Sequence, residues 1–466
     1  MDATTERLVD LALDPRYARL PADVVHECKR RVVDTLACAL GAYDESSSRL
    51  ARAAAARVLP APGAPAARVW GGHAPTTPEA AAFANGVMLR ELDISDMYRV
   101  RSGGHPSDVM AGILAVGEAA RADGAAVIGA ITLAYDVYCS FCEAVDVNSR
   151  GWDQPVYGIL GGVLGIARLL GLSREQAGHA VGLALAPNMA LAQTRHNTLS
   201  AWKGCAAANA SRNAVFAAYL AQQGLTGPSA VFEGKGGLWD AVGRFEWTPE
   251  ADDSSHRIAR TDLKSFPLCY HAQSAVWAAL QLRGQVRIDE VEAIEVETYR
   301  FASDFLAGEP AKWAPATRET ADHSLPYIVA VALLDGEVKV RSFAPARLGD
   351  PALGALMRKV RVAEAADLTR RYPGVSSCRL RVVHRDGRAA QAGVDEPKGS
   401  LQNPMSDAEI GAKFRSMSGG FCSESQCAEA LDALWALDGA PDVGEVLATL
   451  ARPGAAQPPL ALAARG

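Results

Sequence analysis

The stretch "VEAIEVETY", Val291–Tyr299, decides the fold. It alternates apolar and charged residues in the manner of a half-buried strand. The chain before it does something else. From the first residue to about 262, apolar residues recur at helical spacing, in alanine-rich segments separated by glycine or proline. "VVHECKRRVVDTLACALGAY" stops at Gly41, "PSDVMAGILAVGEAARADG" is expected to stop at Gly124, and "PVYGILGGVLGIARLLGLS" follows. These read as antiparallel helices with C-terminal glycine stops. Beyond Tyr299, "HSLPYIVAVALLDG" (323–336) reads as a helix, and "SSCRLRVVHRDGRAAQAGV" (376–394) as two strands turning at Asp386-Gly387. After "EPKGSLQNPMSDAEI" helical spacing returns with Ser406 as N-cap, and the last dozen residues read as a frayed tail. The expectation is a mainly α protein: a large all-helical domain (1–262 and 401–466) with an inserted smaller α+β lid domain (263–400).

Bulk properties narrow the function. A chain of 466 residues exceeds one compact core, which agrees with two units. With 49% hydrophobic residues, 21% charged and a net charge of −6, neither a disordered chain nor an obligate nucleic-acid binder is expected. The N-terminus lacks the basic head and apolar core of a signal peptide. "GILGGVLGIARLLGL" is cut by Arg168, and no apolar run is read as long enough for a membrane span. Nine cysteines form no framework, and Cys139 and Cys142 of "CSFC" read as buried thiols rather than a metal or redox pair. A cytoplasmic location fits that usage.

Three segments could carry chemistry. On the helix of "AWKGCAAANASRNAVFAAYL", Lys203 heads a stripe of alanines at 206, 207, 210, 214, 217 and 218. So small a face invites close backbone packing, against the glycines 158, 161, 162 and 165 of the preceding helix among others. Lys203 then either snorkels to water or points into a cavity holding an anion. In "RSGGHPSD" (101–108), Gly103-Gly104 permit a tight turn and Pro106 suits a first helical turn. His105 or Ser107 caps that helix, or His105 moves protons beside an anion bound to the helix start. Asp93 and Asp96 of "ELDISDMY" share a helix face at i, i+3 spacing, either orienting His105 or lying in solvent. "DLKSFPLCYHAQSAV" adds Lys264 and His271, and "ADHSLPY" adds His323 and Tyr327. Cations and proton-transfer groups from both units suit a cleft for a polycarboxylate. No dinucleotide fingerprint, P-loop, zincin motif, nucleophile elbow or iron–sulfur set occurs, so the expected chemistry uses no cofactor and no metal.

Those segments, with "RVVDTLACALGAYD", "AAFANGVMLRELDISD", "GIARLLGL", "RHNTLSAWKGCAAANASRNAVFAAYLAQQGLTGP" and "PKGSLQNPMS", resemble the MmgE/PrpD family across nearly the whole chain. The family includes 2-methylcitrate dehydratase, cis-aconitate decarboxylase and iminodisuccinate epimerase. The resemblance implies a helical domain interrupted by an α+β lid, a homodimer, and a small polycarboxylate substrate, with no nucleic-acid or membrane partner. It implies active-site roles for Asp93, His105, Lys203, Lys264, His271 and Tyr327, with Asp96 close by; the expected catalytic set is Asp93, His105, Lys203, His271 and Tyr327, with Lys264, Asp96, Gln154, Ser107 and His323 contacting substrate. Two positions depart from the pattern. Gln154 stands where relatives commonly carry a histidine, and Met97 where threonine is frequent. Glutamine binds a carboxylate but exchanges no proton near pH 7. The implied reaction is cofactor-independent elimination of water beside a carboxylate, with epimerisation or decarboxylation of a related substrate, or carboxylate binding without turnover, as alternatives.

Overall fold

A computed structural model describes residues 1–100, 102–247, 249 and 256–452. The C-terminal stretch read as a frayed tail therefore lies outside the described residues, apart from its beginning at Arg452. The helices that frame the molecule are α1 (Ala22–Gly41), α2 (Pro78–Glu91), α3 (Met110–Ala119), α4 (Gly124–Ala144), α5 (Pro155–Leu169), α6 (Trp202–Gln222), α7 (Gln273–Leu282), α8 (Leu325–Asp335), α9 (Asp407–Ser418) and α10 (Glu424–Trp435). The protein is mainly α, with one sheet of four strands: β1 (Val291–Thr298), β2 (Val360–Glu364), β3 (Cys378–His384) and β4 (Ala389–Val394).

Alternation in "VEAIEVETY" produces β1, whose Val291, Ile294 and Val296 are buried. It pairs antiparallel with β3, and β3 turns through Asp386-Gly387 into β4. The fourth strand was not evident in the sequence. "VRVAE" is short and half charged, and it lies parallel to β1 at the sheet edge, so its partner rather than its own pattern defines it. Helices α7 and α8 cover the sheet around a core running from Leu268 to Val382. The larger core draws on residues from Leu8 to Leu263 and again from Met405 to Leu450.

Small residues set how closely the large domain packs. A Cβ on Gly161 would stand 2.5 Å from the Ala134 carbonyl oxygen, and one on Gly86 would stand 2.8 Å from the Ala208 Cβ. The glycine face of α5 thus serves two neighbours. Gly161 and Gly165 meet the backbone of α4, while Gly162 meets Ala214 on the alanine stripe. That stripe is buried throughout.

Several local expectations are corrected. Gly124 does not stop a helix but begins α4 behind the Asp123 N-cap, because the preceding helix has already ended at Ala119. One described helix, α4, is long and apolar enough to cross a membrane, contrary to the run-length reading; it is almost wholly buried inside the protein. "HPSD" forms a single 3₁₀ turn before α3, and neither His105 nor Ser107 caps it through a side chain. Ser406 does cap α9, in a capping box with Glu409.

Backbone pairing carries the two units to one place. Met97 and Asp262 exchange hydrogen bonds of 2.8 and 2.7 Å, and Leu263 donates to the Gly399 carbonyl at 2.8 Å. A side chain on Gly399 (φ +98°) would collide with that Leu263 backbone. The loop after α2 is thereby held against the segment that enters the second unit. Cys269 in turn donates to the Asp322 carbonyl at 3.0 Å, drawing the start of α8 to the same spot.

Candidate active site

Asp93 lies at the centre of what these pairings assemble. It follows α2 in the left-handed region (φ +48°), which aspartate tolerates better than most side chains and which aims its carboxylate inward. Lys264 Nζ donates to Oδ1 and to the Asp93 carbonyl, both at 2.8 Å. Arg90 Nη1 donates to Oδ1 at 3.1 Å, and Lys203 Nζ to Oδ2 at 3.3 Å. All four residues are buried. Burial alone would raise the carboxyl's pKa, but the three cations hold it well below the ordinary carboxylate range.

Lys203 does not snorkel; its ammonium turns inward onto carboxylates of the protein itself. Its ammonium stands 3.3 Å from Asp93 Oδ2, 3.4 Å from Asp322 Oδ1 and 3.4 Å from His323 Nδ1. Asp93, Asp322 and His323 could by spacing alone hold a metal ion. In this arrangement the cation among those three donors is the lysine. His323 Nδ1 is hydrogen-bonded to Asp322 Oδ1; a carboxylate only accepts, so Nδ1 carries the proton. Nε2 then faces Asp93 Oδ2 at 3.5 Å. Burial and the Lys203 charge press the His323 pKa down to about 4, so the ring is neutral near pH 7.

His105 borders the same carboxylate. Its Nδ1 lies 2.6 Å from the Asp96 carbonyl oxygen, which only accepts, so the proton is on Nδ1 and the lone pair on Nε2. Nε2 is 4.0 Å from Asp93 Oδ1. Burial, Arg90 and Lys264 lower its pKa well below 6.5. This is a neutral imidazole with its basic nitrogen turned toward the cluster. The free N–H groups expected to bind a substrate anion are spent within the protein. Ser107 N–H donates to Asp96 Oδ1 at 3.2 Å, and His105 N–H to the Tyr138 hydroxyl at 3.0 Å. Asp96 itself sits behind His105, with Tyr135 donating to its Oδ2 at 2.8 Å.

The remaining predicted residues divide. The His271 ring lies 6.4 Å from that of Phe305, which is 5.7 Å from His323, and it feels the charge of Lys264, so it stands one ring away from the cluster. Its Nδ1 pairs with the Tyr299 hydroxyl at 2.6 Å, and burial brings its pKa to about 3. Gln154 precedes α5 beside Asp153; its Oε1 and the buried Ser107 hydroxyl have no hydrogen-bond partner among the described residues. Tyr327 is not brought to the site. Its hydroxyl donates to the Ser342 carbonyl at 2.7 Å inside the second core, beside Phe343, because the first turn of α8 directs it there.

Four participants escaped the sequence reading. Arg90 joins Asp93 to Asp108, with Nε 3.2 Å from Asp108 Oδ1. Asp322 was hidden beside the more conspicuous His323. Arg195 forms a two-oxygen pair with Asp153 at 3.0 and 3.1 Å, and its guanidinium is near enough to interact with Arg90 and Asp93. Lys413 on α9 donates to Asp34 Oδ1 (2.6 Å) and to the carbonyls of Ile94 (2.9 Å) and Lys264 (2.8 Å), bracing the backbone beside two cluster residues. An arginine at a helix end or a lysine on an amphipathic helix gives no signal of such a partner.

Exposure ranks who can meet a ligand. Side chains of Arg195 (16%), His105 (12%), His323 (7%) and Lys203 (4%) retain surface, whereas Lys264 has none. Lys264 therefore lies beneath Asp93 and supports it. Arg90, Lys203 and Lys264 face Asp93, Asp322 and Asp108; burial pushes the Asp108 carboxyl up to about 7, so near neutral pH part of one positive charge is left for an anionic ligand.

The MmgE/PrpD N-terminal domain matches residues 6–249, and the MmgE/PrpD C-terminal domain matches residues 266–438. The chain is 29% identical to a 2-methylcitrate dehydratase of Cupriavidus necator over 76% of its length and 75% of the relative's. It is 28% identical to a 2-methylcitrate dehydratase of Escherichia coli (strain K12), over 76% of each chain. A cis-aconitate decarboxylase-like protein of Aspergillus oryzae is 25% identical over 96% of this chain and 97% of its own.

Proposed function

Because the chain belongs to the MmgE/PrpD family, we propose that it is a lyase that eliminates water from a small tricarboxylate of the 2-methylcitrate kind. The observation that carries the reading is the neutral His105, its Nε2 lone pair turned to the rim of a buried cation cluster. The substrate carboxylate lies at Lys203 and Arg195, the more accessible cations. His105 Nε2 removes the proton from the carbon next to that carboxylate, a step worth roughly 10²–10⁴-fold. Negative charge then spreads onto the carboxylate oxygens, where the fixed cations stabilise it without reorganising. Lys203 supplies the proton that leaves with the hydroxide. His271, neutral near pH 7, orients the substrate rather than acting as the acid. Asp93 keeps Lys203, Lys264 and Arg90 charged and in place.

A second reading is favoured by one observation: the decarboxylase-like relative aligns over 96% of this chain. Proton NMR of the purified protein in deuterated water, with 2-methylcitrate, citrate and cis-aconitate in turn, separates the two. Replacement of the 2-methylcitrate methyl doublet by the singlet of a methyl group on a fully substituted double bond, at a rate reduced roughly 10²–10⁴-fold in a folded His105→Ala variant, is the expected outcome. Loss of carbon dioxide from cis-aconitate without elimination from either hydroxy acid moves the assignment to the decarboxylase. Deuterium exchange with no new double bond moves it to an epimerase.

A further inference from the structure

Helices α9 and α10 are joined by a short turn, "SGGFCS" from Ser418 to Ser423, and the sequence "CSESQC" places Cys422 in the turn and Cys427 within the first turns of α10. The turn folds back because Phe421 and Cys422 both donate backbone hydrogen bonds to the Ser418 carbonyl, at 2.7 and 3.0 Å. Phe421 is anchored against Tyr43, with ring centroids 4.7 Å apart. Ser423 caps α10 in a capping box with Gln426, which fixes where Cys427 points. The result is a separation of 2.8 Å between Cys422 Sγ and Cys427 Sγ, well inside the contact distance of two unbonded sulfur atoms. Ser418 Oγ completes the group at 3.2 Å from Cys427 Sγ. Cys427 is fully buried and Cys422 keeps a partly exposed edge. By contrast, the "CSFC" pair on α4 is buried at both positions, and Cys142 Sγ is engaged with the Gly103 carbonyl.

We infer that Cys422 and Cys427 form a redox site, a dithiol that a small hydroperoxide converts to an intramolecular disulfide. Cys422, the accessible partner, attacks as thiolate: its sulfur bonds to the terminal peroxide oxygen, the O–O bond breaks, and the second oxygen leaves after protonation as an alcohol, or as water when the oxidant is hydrogen peroxide. The sulfenic acid so formed is then attacked by Cys427 Sγ; the S–S bond forms, the S–O bond breaks, and water departs. Two thiols lose two electrons and two protons, and the peroxide takes up both. Closing from 2.8 Å to a disulfide bond of about 2.05 Å needs a shift of under about 1 Å, within reach of a turn. Burial and the neighbouring thiol push Cys422 up to about 11, so the thiolate is scarce at neutral pH and the oxidation accelerates about tenfold for each unit by which pH is raised toward that value.

The test uses the full chain exposed to hydrogen peroxide. Titratable thiols, counted after unfolding, fall from nine to seven (9 − 2), the mass drops by two hydrogens, and peptide mapping finds Cys422 joined to Cys427. Dithiothreitol restores all nine. In Cys422→Ser, which replaces a partly exposed residue, the two-thiol loss disappears. In Cys427→Ser, Cys422 stops at a sulfenic acid that dimedone traps. Retention of all nine thiols, a disulfide mapped to another pair, or sulfinic acid at Cys422 beside a free Cys427 would overturn the inference. Turnover is not the readout, so the result is independent of the reaction assigned above.

Discussion

Replacing Asp93 by asparagine isolates the charge at the centre of the cluster. Asparagine has the same shape and also tolerates a φ of +48°, so the backbone is not the variable. What changes is that Lys264, Arg90 and Lys203, at 2.8, 3.1 and 3.3 Å, lose their shared counter-ion. Removing one partner from a buried ion pair costs about 3–5 kcal/mol. Lys264 can escape by giving up its proton, and neutralising an ordinary lysine at pH 7 costs about 5 kcal/mol, which caps the penalty. Burial has already lowered the Lys264 pKa below 10.5, so the expected loss is about 3–5 kcal/mol at pH 7. The sign with pH follows. In the variant the folded-state pKa of Lys264 falls further, so between that value and 10.5 the unfolded chain binds more protons than the folded one. Stability therefore rises with pH across that window, by at most about 1.4 kcal/mol per pH unit for one lysine, and more steeply than in the parent. Urea unfolding followed by circular dichroism at pH 7, 8 and 9 measures both effects. A variant that unfolds at the parent's urea concentration, with the parent's pH slope, refutes the account of Asp93 as common counter-ion.

Two further outcomes are expected. Tyr327→Phe removes only the hydrogen bond to the Ser342 carbonyl, so it costs about 1 kcal/mol of stability and leaves turnover unchanged; a 10²-fold fall in kcat would return Tyr327 to the active site. Gly161→Ala drives a methyl to 2.5 Å from the Ala134 carbonyl oxygen, and the variant is expected to lose about 1–3 kcal/mol in urea unfolding, with a midpoint equal to the parent's counting against the close α4–α5 approach.

The parts of the fold visible in the sequence were those with their own period. β1 and the β3–β4 hairpin declare themselves by alternation and a turn, and α6 by its alanine stripe. β2 does not, because a five-residue edge strand is made by the strand it joins. The site divides in the same way. His105, Lys203 and Lys264 stand out as polar residues set in apolar or glycine-rich text. Asp322, Arg195 and Lys413 do not, since they meet Lys203, Asp153 and Asp34 tens to hundreds of residues away, and Arg90 meets its near neighbour Asp93 only through the turn that follows α2. Tyr327 shows the converse. Its segment reaches the site, since His323 and Asp322 lie within four or five residues of it, yet one helical turn is enough to aim a side chain into a different core. Gln154 was legible as a departure, and its Oε1, without a hydrogen-bond partner among the described residues, is the structural form that departure takes.

The three hydrogen bonds of Lys413 carry a consequence for the order in which the molecule comes into being. A nascent chain that has reached residue 400 already contains Asp93, His105, Lys203, Lys264 and Asp322. It lacks the ammonium that ties Asp34 to the carbonyls of Ile94 and Lys264, the two backbone points on which the buried charges hang. Without that tie, the loop that carries Asp93 and the segment that carries Lys264 lack the helix that pins them side by side. The ribosome thus delivers the ingredients early and the fastener late, and a polypeptide interrupted in between holds every reactive group but not the tie that keeps them together.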